Sequence, residues 1–154
     1  MTETSSLAIE REILIDAPVE VVWRTITESD QIEKWFADRA ELDLRPGGAG
    51  TFVFERGGTS KHAPLVVEAV EPPHRFAFRW SHPQGESPVP ANSTLVEFLL
   101  SVEGDERTRL RVVETGLDLV SWSEGDKARY AEDHRHGWAV NFGRLGDLLG
   151  VAPE

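Results

Sequence analysis

The chain has 154 residues, 40% of them hydrophobic, no cysteine and a formal net charge of -11. That is enough apolar material for one folded core, and it excludes a thiol nucleophile, a thiolate metal site and a disulfide framework. The acidic balance argues against a nucleic-acid binder, which needs a basic face, and against docking on an anionic membrane.

Residues 1–12 are polar and lack the apolar stretch of a secretory signal, and no window approaches the ~20 apolar residues of a membrane span, so a cytoplasmic location is expected. The first seven residues read as a frayed start. Residues 8–15 read as a strand with Ile9, Ile13 and Ile15 on one face, interrupted by Arg11. Asp16 is placed to cap a helix whose first turn holds Pro18 and whose apolar stripe is Val19, Val22, Trp23 and Ile26. A second short helix, capped by Ser29 or Asp30, carries Ile32, Trp35 and Phe36.

Strands follow. Residues 39–45 lead into a turn at Arg45-Pro46-Gly47-Gly48, and Phe52 and Phe54 share one face of 50–56. Residues 65–71 form a strand of unassigned phase, and Pro72-Pro73-His74 turns the chain. In 75–80, Phe76, Phe78 and Trp80 alternate with Arg75, Ala77 and Arg79. After a Pro-rich loop at 82–92, Val96, Phe98, Leu100 and Val102 share a face of 94–102, Gly104-Asp105-Glu106 turns, and Leu110, Val112 and Glu114 share a face of 108–115. A loop at 116–126, with Trp122, precedes a helix over 127–149 whose stripe is His134, Trp138, Asn141, Phe142, Leu145, Leu148 and Leu149. Gly137 and Gly146 each weaken that helix by roughly 1 kcal/mol relative to Ala, which close helix–sheet approach would offset. The whole is one α+β domain over 1–154, with a core of about 8–150.

Several motifs occur in order: Ile15-Asp16-Ala17-Pro18-Val19-Glu20-Val21-Val22-Trp23, then Ile32-Glu33-Lys34-Trp35-Phe36 before Arg45-Pro46-Gly47-Gly48, then Val70-Glu71-Pro72-Pro73-His74-Arg75-Phe76, and finally Gly137-Trp138. They resemble the START-like (SRPBCC) superfamily, and within it the family named after the C-terminal domain of the activator of heat-shock protein 90 ATPase. The resemblance implies the helix-grip fold: a seven-stranded curved antiparallel sheet wrapped around a long C-terminal helix, with two short helices between strands 1 and 2. It carries no fixed catalytic constellation.

A bent sheet and a helix that cannot fill the space between them leave a cavity, mostly apolar with a few orienting polar groups. The candidate ligand-binding residues are Trp35, Phe52, Phe54, Phe78, Trp80 and Phe98 from the first half and sheet, with Glu114, and Trp138, Asn141 and Phe142 from the last helix. Each ring is either plain core or pocket wall. Glu114 and Arg11 are the inward-phase ionisable residues, which could pair, reach solvent at strand ends, anchor a ligand, or supply an acid or base. His134 and His136 do not face each other on a helix and make a poor metal pair. His62, His74 and His82 read as solvated, and no metal or cofactor is expected. There is no G-x-S-x-G and no Walker-type loop. The first expectation is a hydrophobic or aromatic small-molecule ligand held in the cavity. The alternatives are a protein-interaction role, with a homodimer or chaperone partner, and an enzyme resembling polyketide cyclases or aromatases.

Overall fold

The computed structural model describes residues 8–81 and 87–153. The expected fraying of residues 1–7, and His82 with the first part of the 82–92 loop, lie outside the described residues.

Chain order is β1 (Ile9–Ile15), α1 (Val19–Thr27), α2 (Ser29–Ile32), β2 (Arg39–Leu42), β3 (Ala49–Arg56), β4 (Thr59–Glu71), β5 (Arg75–Ser81), β6 (Ser93–Glu103), β7 (Arg107–Thr115) and α3 (Glu124–Leu149). The strands form one curved antiparallel sheet in the order β1-β7-β6-β5-β4-β3-β2, so the first and last strands are neighbours. This is the helix-grip arrangement that the motif order implies.

Local chemistry accounts for several boundaries that differ from expectation. Asp16 does not cap α1: its backbone N–H donates to Gly150 O (3.0 Å), and the extended residue before the helix is Pro18, which has no side-chain donor or acceptor. Likewise α2 begins at Ser29 itself, with Glu28 before it, and lasts one turn; Trp35 and Phe36 fall in the turns that follow. Their position is fixed by tertiary contacts instead, as Trp35 Nε1 donates to Thr25 O at 3.0 Å. Strand β2 stops at Leu42, earlier than expected, and β4 starts at Thr59, earlier than the apolar run that reveals it. Its exposed first residues, Thr59–His62, carry no apolar period; Ala63, Leu65, Val67 and Ala69 then face the core. Helix α3 begins at Glu124 because Ser123 Oγ accepts from Asp126 N–H (3.1 Å), an ordinary N-cap.

The Pro-Gly-Gly turn between β2 and β3 is sterically demanding. A Cβ at Gly48 would lie 2.0 Å from the backbone oxygen of Asp43, which cannot rotate away. Gly48→Ala is therefore expected to lower stability by about 2 kcal/mol or more, read as a reduced urea midpoint at unchanged slope.

The two helix glycines part company. At Gly146 a Cβ would meet Ile13 Cδ1 at 3.3 Å and Val151 Cγ2 at 2.6 Å, which is the close approach expected of it. The chain then returns to β1, with Ala152 N–H donating to Leu14 O at 2.9 Å. Gly137 corrects the expectation: a Cβ there would meet nothing within 4 Å, because it faces a cleft and not the sheet. Two residues assigned inward faces are exposed, Val102 (53%) near the β6–β7 turn and Leu148 (41%) in the last turn of α3.

Between sheet and α3 the interior is dominated by rings. Trp35 packs near Phe98 and Phe142, Phe52 near Phe78, and Phe76 stacks on Phe98. These rings fill the middle of the grip.

Candidate functional site

Alternation along three adjacent strands sets the floor of the site. Trp80 on β5 lies opposite Thr94 on β6, and Val96, two residues further along the same face, lies opposite Glu114 on β7. From the helix, Tyr130, His134 and Trp138 descend at intervals of four residues, which places them on one side of α3. The two sets meet at Glu114, whose side chain is completely buried.

Five side chains donate to that carboxylate. Oε1 accepts from His134 Nδ1 (2.8 Å) and Trp138 Nε1 (3.0 Å). Oε2 accepts from Thr94 Oγ1 (2.6 Å), Tyr130 Oη (2.5 Å) and Trp80 Nε1 (3.1 Å). Burial alone pushes the Glu114 carboxyl up, but the His134 charge and the hydrogen bonds from His134, Thr94 and Tyr130 outweigh it and hold the group at about 2. Burial and the adjacent Glu114 charge push the Tyr130 phenol well above its usual value, so it remains a donor. An ionised carboxylate can only accept, which requires a proton on His134 Nδ1.

Above this network lies a cleft of about 630 Å³, within the usual size range of small-molecule sites. Its sheet side is Phe54, Ala63 and Trp80, its helix side His134, Gly137 and Asn141, and Phe36 closes one end. Phe36 and Trp138 are parallel, 1° apart with centroids at 5.4 Å, and Trp80 lies at 26° to Trp138. Trp122 and the charged Lys61, Asp126, Arg129 and Asp133 border the cleft.

The sequence-derived candidates thus divide. Phe54, Trp80, Trp138 and Asn141 line the cleft. Trp35, Phe52, Phe78, Phe98 and Phe142 form the packed ring cluster beside it, all nearly inaccessible. Glu114 lies beneath the cleft and holds its walls. Arg11, which shares the phase of Ile9, is exposed and opposite Val112, so it does not pair with Glu114. Phase assigns a face, not a depth: Ile13 on the same face is itself only partly buried.

Thr94, Tyr130 and the role of His134 were missed by sequence reasoning. Thr94 shares the phase of Val96 and Phe98, and extending the α3 stripe one turn back from His134 reaches Tyr130, so both signals were present. His136 is exposed, as are His62, in β4, and His74, at the β4–β5 turn. Among the described residues no group of three His, Asp or Glu is placed to hold a metal, and no helix is long and apolar enough to cross a membrane.

The family described as "Activator of Hsp90 ATPase homolog 1-like protein" matches residues 16–150. No curated protein matches by sequence. Among solved structures, protein MLL2253 from Mesorhizobium loti is similar with a TM-score of 0.74 at 22% identity, covering 92% of this chain and 95% of that one. DynU16, a protein of the dynemicin biosynthetic locus, is similar with a TM-score of 0.70 at 22% identity, over 91% of this chain and 46% of that one. The Aha1 dimer from Colwellia psychrerythraea is similar with a TM-score of 0.72 at 20% identity, over 96% and 98% of the two chains. At these identities the likeness is one of fold.

Proposed function

This chain belongs to the Activator of Hsp90 ATPase homolog 1-like family, and on that premise we propose that it binds a flat hydrophobic or aromatic small molecule in the cleft between the sheet and α3. The observation that carries this reading is the cleft itself, about 630 Å³ and walled by the indoles of Trp80 and Trp138 and the ring of Phe36. The apolar and aromatic lining favours a hydrophobic guest through burial of its surface. The surrounding rings are locked by the Glu114 network, so little ordering cost remains for the guest to overcome. Asn141 and His134 supply the few polar groups that orient it.

Gly137 gives the sharpest test, because it lines the cleft and contributes no packing. Titration with a naphthol should quench the fluorescence of Trp80, Trp122 and Trp138 saturably in the wild type. Gly137→Leu should fold normally, with about 0.5–1 kcal/mol of added helix stability, and lose the saturable quench. Equal quenching in both proteins would place the guest elsewhere and remove the proposal.

A second reading, self-association, rests on the similarity to the Aha1 dimer. Sedimentation at the mass of one chain across micromolar concentrations would dismiss it.

A further inference from the structure

The imidazole of His134 presents only one of its nitrogens to the cleft. Nδ1 is engaged by the buried Glu114 at 2.8 Å, and the side chain is 26% exposed. Among the described residues every buried side-chain nitrogen or oxygen has a hydrogen-bond partner, so Nε2, for which no partner is found, is the accessible atom. The ring is held in place by stacking on Tyr130, with centroids 3.7 Å apart, and by the edge of Trp80.

The geometry points to His134 Nε2 as a proton acceptor for an acidic hydroxyl, a phenol or enol, on the molecule bound in the cleft. This rests on the binding proposed above and names the chemical class that the cleft selects. Glu114 keeps the proton of a neutral imidazole on Nδ1, so the lone pair of Nε2 faces the guest. A phenol or enol can donate to that lone pair, whereas an ether cannot. In the transfer the O–H bond breaks, its proton forms the N–H bond at Nε2, and the electron pair stays on the guest oxygen. The imidazolium so formed sits against the Glu114 carboxylate, and the guest oxyanion faces the new N–H.

The charged and titratable groups around His134 come from three elements: Glu114 from β7, Lys61 from β4, and Tyr130, Asp126, Arg129 and Asp133 from α3. Arg129 is paired with Asp126 at 2.5 Å, both side chains exposed at the rim.

The test uses para-nitrophenol, whose ionised form absorbs at longer wavelength, and para-nitroanisole, its methyl ether. At a pH about 1 unit below the phenol's own pKa, excess protein should convert the bound phenol to the ionised spectrum. The wild type should also bind the phenol at least ~10-fold more tightly than the ether, a tenfold ratio being about 1.4 kcal/mol. His134→Gln retains a donor for Glu114 and should lose both the ionised spectrum and the preference. Nitrogen NMR of the wild-type imidazole provides a readout independent of the variant's folding: Nε2 should become protonated as the phenol binds. Bound phenol with a neutral spectrum, equal affinity for phenol and ether, or an unchanged preference in His134→Gln would each overturn the assignment while leaving the cleft as a binding site. Binding of neither probe would overturn both.

Discussion

Replacing Glu114 by Gln should destabilise the protein by about 3–5 kcal/mol, the usual cost of removing one partner from a buried charged network. The carboxylate collects five donors on two oxygens, whereas the amide offers one oxygen and turns an NH2 group toward donors. Buried donors left without acceptors bear their full desolvation cost. The same group should govern acid stability. Its folded value, about 2, lies below the usual 4.5. The stabilisation is therefore fully present above about 4.5 and is lost as pH falls through about 2. A shift of that size corresponds to something on the order of 3 kcal/mol. Urea unfolding as a function of pH should show this decline in the wild type, and Glu114→Gln should be lower at neutral pH and flatter across the same window. Coincident curves for the two proteins would mean that the network contributes nothing to folding.

Trp138→Ala should cost about 3–5 kcal/mol, the range for deleting a large buried aromatic side chain. Its ring is 2% exposed and stacks on Phe36, and its N–H is one of the two donors to Glu114 Oε1. Trp138→Phe separates the two contributions, since it retains most of the apolar ring and removes only the donor. A loss of about 1.5–3 kcal/mol is expected there, as for a hydrogen bond to a charged group. Trp138→Phe, which removes a donor to the charged form while keeping the ring that buries it, should raise the Glu114 carboxyl and move acid unfolding to higher pH. Alanine should also abolish the saturable quench by naphthol, because one wall of the cleft is gone. If Trp138→Phe were as damaging as Trp138→Ala, the lost hydrogen bond and not the apolar ring would dominate at this position.

Much of the fold was legible because alternation and helical spacing report directly on burial. Phe76, Phe78 and Trp80 on β5, and Leu110, Val112 and Glu114 on β7, all take their expected face. The first part of β4 was not legible, because Thr59–His62 pair with β3 through the backbone ladder and leave their side chains exposed, with no apolar period. The inward phase of Glu114 could be read, but its donors could not: they come from β5, β6 and α3, and only the closed sheet brings them to one point. The cleft was visible only as an expectation of a hollow. In the structure most of that interior is filled by interlocked rings, and the open space lies beside the stretch of α3 from Asp126 to Asn141, where Gly137 has no side chain to occupy it.

In a crystal of the protein soaked with a naphthol, the fused rings should lie between Trp80 and the Gly137 face of α3, with the hydroxyl oxygen within hydrogen-bond distance of His134 Nε2. A guest seated elsewhere on the surface, or a cleft that holds only water at saturating naphthol, would contradict this binding mode.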